Sequence, residues 1–518
     1  MTGWKRYTPD GIKKVTEIKR DENGMIRENL IIKGNNLLAL HSLKTEFRDK
    51  VKLIYIDPPY NREADVFYND NFKRSAWLSF MKNRLDIAKD LLAKDGAIFI
   101  QIDDAQMAYL KLLCDEVFSE DNFSTIICVK MSHLSGVKMA HKEIKLPKIK
   151  EYILMYTKAS AVRLNPQYEA VSWDEALERY TSFVIKHNHN DENCHKWEVL
   201  PLSQAIKKAG VDLNDNKAVM AFKLKNAHLI FRTARNRSAD YSHLPKDKFN
   251  RVINPDGSYY FVYKHEDVNF ASEKVIEIEG KPTPVNTIGD IWLDIGINNL
   301  SNEGGVDLRF GKKPEKLIHR IIDMVAADKS DIIMDFFTGS GTTVAVAHKM
   351  GRQYIGIEQL DYGENDSVHR LQNVIGKRKK KLFDEYEDYD TLAISKTVSW
   401  KGGGDFIYCE LMRYNEAFMD KIQEVRTSKE LVKLWKDIAE NSFLNWHVNP
   451  QTPEDAIKDF EEIGKGEDGL KKQKKLLAEL LNKNQLYVNL SEIDDKQFNV
   501  SDEDKKLNSE FYGEAFNG

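Results

Sequence analysis

Leu53-Ile54-Tyr55-Ile56-Asp57-Pro58-Pro59-Tyr60-Asn61 is a short apolar run that stops at two prolines. Its apolar and aromatic residues, with β-branched members, read as a strand buried on both faces of a parallel sheet. Pro58 and Pro59 fix φ and remove two backbone donors, so the chain leaves the sheet at its carboxyl edge, where open α/β sheets bind ligands. Asp57 and Tyr60 are thereby predicted to sit at a crevice. The chemistry that fits is methyl transfer to an exocyclic amino group of a nucleobase, a poor nucleophile because its lone pair is delocalised into the ring. The Asp57 carboxylate and the Pro58 carbonyl are suited to accept N–H bonds from that amine, drawing it towards tetrahedral geometry and offsetting the positive charge that develops during attack. Tyr60 offers a flat face on which a base taken out of the duplex stacks. The bland alternative is a proline-rich turn after any buried strand, and a second motif decides between them.

That motif is Asp331-Ile332-Ile333-Met334-Asp335-Phe336-Phe337-Thr338-Gly339-Ser340-Gly341-Thr342-Thr343, an apolar strand running into a glycine pair and then a helix from Val344 to Met350. Glycines there let the backbone approach a ligand closely, and the helix N-terminus offers N–H groups to an anion. Tyr354-Ile355-Gly356-Ile357-Glu358 follows, a second short strand ending in an acid at an interval of about 20 residues, suited to holding ribose hydroxyls. The two together read as a nucleoside-cofactor site, with Asp335, Phe337, Thr338, Gly339, Ser340, Gly341, Thr342 and Glu358 as its expected residues. Phe337 is expected to line an adenosyl pocket, or else simply to pack at the strand end. A dinucleotide fold would carry a third glycine where Val344 stands, so S-adenosylmethionine is favoured.

The order of the two motifs, DPPY at 57–60 ahead of FTGSG at 337–341, resembles the amino-methyltransferases of the β class. The Asp at the first position of DPPY resembles adenine-N6 enzymes more than cytosine-N4 enzymes, which more often carry Ser there. Leu30 to Leu40, Gly311 to Leu317, Trp400 to Leu411 and Asn484 to Asn489 are further similar to type III restriction-modification Mod subunits, so the resemblance runs nearly end to end apart from the middle. It implies methylation of adenine at N6 in a short asymmetric site of double-stranded DNA, a homodimer, and a separate Res helicase-nuclease partner. It also implies that Lys313 and Pro314 contact the cofactor, Pro314 opening a helix from Gly311 to Ala327 that brings Lys313 near a cofactor carboxylate.

With 518 residues, 42% hydrophobic and 31% charged, the chain can bury a substantial core in two to four domains. A formal net charge of −4 neither supports nor excludes DNA, so a DNA-facing surface must be a local basic patch. Cys114, Cys128, Cys194 and Cys409 show no C-x-x-C spacing and suit a reducing cytoplasm. The N-terminus lacks an apolar core for export and no long uncharged run could span a bilayer, so the protein is expected in the cytoplasm.

The expected fold class is α/β: a permuted doubly wound, Rossmann-like methyltransferase domain with an inserted target-recognition module and a helical C-terminal region. Residues 1–29 read as a polar arm, 30–159 as the catalytic half, 160–290 as the target-recognition module, 291–400 as the cofactor half and 401–518 as a region for dimerisation or partner docking. Asn35 or Asn36 is suited to cap a helix that buries Leu37, Leu38, Leu40 and Leu43. The aromatic loop 67–72 reads as a lid over the base pocket or as packing. Asp103-Asp104 is predicted to cap a helix running to Phe118, and a metal there is rejected because methyl transfer from a sulfonium needs none. Ser132 to Lys150 is a loop dense in Lys and His, suited to phosphate contact or to plain solvation.

Within 160–290 the regular alternation of strand and helix breaks down. Arg232, Arg235, Arg237, Lys246, Lys248 and Arg251 make its densest basic stretch, interleaved with Phe231 and Tyr241, as expected of side chains that reach phosphates and base edges. His187, His189, Cys194 and His195 match no common zinc spacing. Lys377 to Lys381 reads as a solvated helix end. Residues 405–518 read as helical, with apolar stripes at Leu431, Leu434 and Ile438 and at Leu476, Leu477, Leu480 and Leu481. The rival functions are cytosine-N4 or RNA methylation, a solitary methyltransferase, a sequence-reading scaffold for a nuclease and, most distantly, a Rossmann oxidoreductase.

Overall fold

The computed structural model describes residues 2–61, 74–132, 146–159, 162–186, 191–278, 280–296, 300–307, 312–360, 362–379, 385–411, 421–441, 454–466 and 468–482. The loop at 67–72, most of the lysine-rich loop at 132–150, His187, His189, Gly311 and the Asn484 to Asn489 segment lie outside them.

Among the described residues, eleven strands form one sheet, in the order Ile291–Trp292, Phe123–Lys130, Lys150–Thr157, Leu92–Ile102, Val51–Ile56, Ile332–Asp335, Gln353–Glu358, Leu30–Lys33, Phe406–Glu410, Thr2–Thr8, Gly11–Lys14. From Leu92–Ile102 to Phe406–Glu410 every neighbouring pair is parallel. Each of these central strands is apolar through most of its length and buried, as a sheet covered on both faces requires. Lys150–Thr157 runs antiparallel to both of its neighbours.

The strand order reverses at one place. From Val51–Ile56 the chain returns to the sheet as Leu92–Ile102 on one side, and from Ile332–Asp335 it returns as Gln353–Glu358 on the other. These two strands are themselves paired, Ile54 beside Met334. Connections that depart in opposite directions leave a crevice at the carboxyl ends, which is where doubly wound sheets take ligands. The permuted α/β architecture read from the sequence is the one observed.

Three local expectations are corrected. The helix after Ile102 is Met107–Phe118 with Gln106 at its N-cap and no side-chain cap; the Asp103 carboxylate accepts instead from the Ala105 N–H at 2.9 Å, closing a tight turn that delays the helix. Lys377–Lys379 is a strand paired with Glu385–Glu387, since Gly376 at φ +65° ends the helix Ser367–Ile375 first. Phe406–Glu410, assigned to a helical region, is a buried strand beside Leu30–Lys33. The segment read as an unassigned arm is built on it: Thr2–Thr8 pairs antiparallel with Phe406–Glu410, and Tyr7 stacks on Phe406 at 4.9 Å between ring centres.

Helices Ser428–Asn441, Glu454–Lys465 and Gly469–Asn482 bury Leu431, Leu434, Trp435, Phe460 and Leu477, with Trp435 and Phe460 in ring contact. Part of the apolar stripes is thus used inside the chain, while Leu476 stays exposed.

Pro166–Gly289 forms a compact unit of its own. Its six-stranded antiparallel sheet runs Glu198–Pro201, Ser182–Ile185, Ile230–Ala234, Glu266–Phe270, Tyr259–Tyr263, Asn250–Ile253. Aromatic packing of Trp197, Phe231, Phe249 and Phe261 fills one core, and Trp173, Leu177 and Ile230 belong to a second.

Candidate active site

Asp57 leaves the carboxyl end of Val51–Ile56 and Asp335 ends Ile332–Asp335, the two paired strands at the switch point. The motifs at 57–60 and 337–341 therefore share one crevice edge. The DPPY turn is held from below: Trp77, fully buried in the helix Arg74–Leu91, donates its indole N–H to the Pro59 carbonyl at 2.8 Å. Asn61 then turns the chain away at φ +54°, a left-handed position that Asn tolerates better than most residues.

Asp57 is bonded through both oxygens. Oδ1 accepts from the Tyr60 hydroxyl at 2.7 Å and Oδ2 from the Lys313 ammonium at 2.8 Å. Burial pushes the Asp57 carboxyl above its ordinary range; Lys313 and Tyr60 draw it back down, and Glu151 adds to the rise. Burial opposes the charge on Lys313 as well, but Asp57 and Glu151 outweigh it and the ammonium is held charged. The Lys313 ammonium, for which a cofactor carboxylate is the expected partner, stands against Asp57, 5.2 Å from the centre of the Tyr60 ring. Pro314 is buried at the N-cap of the helix Glu315–Val325.

The glycine loop is tied to its surroundings by backbone groups. The Thr338 hydroxyl donates to the carbonyls of Asp335 and Ile357, and Gly341 N–H donates to the Thr338 carbonyl. Gly339 and Gly341 take φ of +52° and +82°, and a Cβ at Gly341 would stand 2.7 Å from that of Ser367, so only glycine closes this turn without strain. Gly341 caps the helix Thr342–Lys349, whose residues are all buried, and Ser340 is buried in the loop before it. Glu358, at the end of the neighbouring strand, accepts from Gly339 N–H at 2.7 Å through one oxygen and from Gln359 and Leu360 N–H through the other. The acid and the loop are thus locked together, 19 residues apart.

Asp335 accepts from the Thr343 hydroxyl at 2.6 Å and from Phe337 N–H at 2.9 Å. Burial pushes its carboxyl up to about 7, against those two donors and with the like charges of Asp57 and Glu358 adding to the rise. Phe337 lies beside Phe336 and Phe80 at ring distances of 5.3 and 5.9 Å.

Several residues of the site carried no motif. Asn36 donates to the Phe336 carbonyl at 2.7 Å, pinning the start of the glycine loop to a helix 300 residues away in the chain, and accepts from Arg84 at 2.6 Å. Glu151 accepts from the Tyr60 hydroxyl and from the Gln101 amide, and the Tyr55 hydroxyl donates to Gln101. For Tyr55 and Gln101 the signal was available: each is a polar group in a strand otherwise buried and apolar, where an uncompensated polar atom is costly.

Of the basic residues in Pro166–Gly289, Arg235, Arg237, Lys246 and Lys248 are exposed, whereas Arg232 and Arg251 are half-buried on aromatic faces, 5.5 Å from the Tyr180 ring and 4.0 Å from the Tyr259 ring. Cys194 is buried against the Phe249 carbonyl, and no cluster of potential metal ligands occurs among the described residues.

The DNA methylase family of N6 and N4 methyltransferases matches residues 51–365, the stretch that carries both motifs at the switch point, and makes the chain a methyltransferase of the doubly wound class. A protein of Haemophilus influenzae described as "Probable type III restriction-modification enzyme HindVI Mod subunit" is 39% identical over 98% of this chain and 70% of its own length. The chain belongs to the family of type III restriction-modification Mod subunits. The EcoPI Mod subunit of Escherichia phage P1 is 28% identical over 70% of this chain and 62% of its own length. Among solved structures, the cytosine-N4-specific PvuII DNA methyltransferase aligns with 66% of this chain and 86% of its own at 13% identity and a TM-score of 0.35. No helix among the described residues is long and apolar enough to cross a membrane.

Proposed function

We propose that this DNA methyltransferase transfers the methyl group of S-adenosylmethionine to the N6 amine of adenine in a specific double-stranded site, as the modification and recognition subunit of a type III system. The observation that carries the reading is the pairing of the Asp57 and Asp335 strands, which sets the amine-accepting acid beside the glycine loop. An Asp at the head of the motif favours adenine over cytosine. Homodimerisation, docking of a Res helicase-nuclease and action in the cytoplasm belong to the same reading, supported by family membership. Pro166–Gly289 is its target-recognition module, with Arg235, Arg237, Lys246 and Lys248 as phosphate contacts.

The residues fit the cofactor. Nothing lies within 4 Å of where a Gly339 Cβ would stand, leaving room for a ligand against the loop, and Glu358 is oriented by three backbone N–H groups with lone pairs left for ribose hydroxyls. When bound, the cofactor supplies a sulfonium-activated methyl group. Asp57 and the Pro58 carbonyl accept from the target amine and hold its lone pair in line with that carbon, Tyr60 stacks the base, and Asp57 offsets the positive charge that nitrogen acquires as the new bond forms. Feeding labelled cofactor with DNA and hydrolysing the product to nucleosides is expected to place the label in N6-methyladenosine; label in N4-methylcytosine, or in RNA alone, would reject the adenine reading.

With Asp335 in the cofactor site, binding is expected to be pH-linked. A carboxyl raised to about 7 is substantially protonated at pH 6.5, and a cofactor that brought its positive charge close to Asp335 would favour the charged form. Binding at pH 6.5 is therefore expected to release a proton, seen as a buffer-dependent enthalpy in calorimetry, and to weaken as pH falls below about 7. Asp335→Asn is expected to lose both effects.

A further inference from the structure

The crevice holds a second carboxylate that the reaction, as so far derived, does not use. Glu151 stands at the start of Lys150–Thr157, and its Oε2 lies 2.9 Å from the Tyr60 hydroxyl, 2.6 Å from the Gln101 amide nitrogen and 3.6 Å from the Lys313 ammonium. Gln101 is fixed in turn, because its carbonyl accepts from the buried Tyr55 hydroxyl at 2.5 Å. One ammonium and one phenol thus lie between two carboxylates, and each of them can serve either. The side chains of Asp57, Glu151 and Lys313 are 18%, 20% and 8% exposed. Screening by water is weak at such exposure, and a second acid beside the first costs stability unless the cation between them holds both.

The target amine needs Asp57 with its charge available. An ammonium bonded to Asp57 spends that charge, and the Tyr60 hydroxyl occupies its other oxygen. We propose that Glu151 is a positioning residue: when the exocyclic amine of the flipped base engages Asp57, Lys313 and the Tyr60 hydroxyl pass to Glu151, leaving the Asp57 carboxylate to polarise the amine. The ammonium has less than about 1 Å to travel to reach an ordinary charge-assisted hydrogen bond with Glu151. The Tyr60 proton has only to turn about its C–O bond. Gln101 keeps Glu151 in place throughout, which is the use of the Tyr55–Gln101–Glu151 chain. This rests on the reading of Asp57 as the acceptor of the amine.

The test is steady-state methylation by Glu151→Gln, which keeps the shape and removes the charge. Expected are a kcat lower by about 10- to 100-fold with unchanged cofactor affinity and melting temperature. The acidic limb of the kcat profile should also move to lower pH, because Glu151 is one of the charges that raise Asp57 while the other groups facing it, Lys313, Tyr60, Tyr55 and Asp335, stay in place. Glu151→Asp, with its charge kept and its reach shortened, should give a kcat between the two and return the limb towards its original position. An unchanged kcat in Glu151→Gln overturns the proposal, and so does a loss that leaves the limb unmoved and is not recovered in Glu151→Asp. Where Glu151→Gln does not fold, a wild-type kcat in Glu151→Asp overturns it. Asp57→Asn run alongside separates the two readings: if that variant still methylates, the role of Asp57 falls and this one with it, whereas an inactive Asp57→Asn beside a fully active Glu151→Gln removes only the role of Glu151.

Discussion

Asp57→Ala is expected to lower kcat for DNA methylation by about 10²- to 10³-fold or more while cofactor binding survives, since a fixed acceptor aimed at developing charge contributes on that scale. The geometry is the reason for the split. Asp57 meets Tyr60 and Lys313, whereas the glycine loop is anchored by Thr338, Glu358 and Asn36, none of which bonds to Asp57. Single-turnover assays with labelled cofactor, together with calorimetric titration of the variant, check both halves. Methylation at a rate near that of the original protein would remove Asp57 from the mechanism.

The largest effect on stability is expected at Glu315, two residues beyond Lys313. Its carboxylate is fully buried and accepts from Lys349 at 2.7 Å and from Arg370 at 2.8 Å. Arg370 also donates to the Thr342 hydroxyl at the first turn of the helix after the glycine loop, and Lys349 is paired a second time with Asp390. Burial opposes ionisation of Glu315, yet Arg370 and Lys349 outweigh it and hold the carboxyl below its usual range. Glu315→Ala leaves the buried Arg370 with only a neutral partner, Thr342, among these contacts, and removal of one member of such a buried ionic cluster costs about 3–5 kcal/mol. Urea denaturation should show that loss as a lower midpoint. Because Arg370 and Thr342 brace the loop, cofactor affinity should fall with it.

The two ends of the site differ in how openly they stood in the sequence. DPPY and FTGSG are local: the prolines, the glycines and the apolar runs before them sit within a few residues of each other, so strand, stop and loop could be read together. That the two strands belong to one permuted doubly wound domain was read from the order of the motifs, whereas the order of the strands in the sheet was not. Glu151 and Lys349 were opaque for the opposite reason. Glu151 opens with Lys150 what looks like a solvated strand start, and Lys349 closes a helix where a cation is ordinarily exposed and favourable; only long-range packing shows that each is enclosed with a partner of opposite charge. Asp103-Asp104 and Lys377–Lys379 misled in a further way, since Asp serves a turn as readily as a cap, and a charged run carries no periodicity to separate a hairpin from a helix end.

The parallel pairing of Val51–Ile56 with Ile332–Asp335 bears on how the protein is made. During synthesis the first of these strands leaves the ribosome long before its neighbour exists, so its edge must wait while the whole of Pro166–Gly289 is translated and can fold as a self-contained unit. The hairpin at the N-terminus waits longer still, for Phe406–Glu410 to give it a strand to dock on. A nascent chain halted before residue 331 would carry Asp57 without the glycine loop beside it, which ties the onset of methylation to translation of that loop and makes the waiting edge a natural client for chaperones.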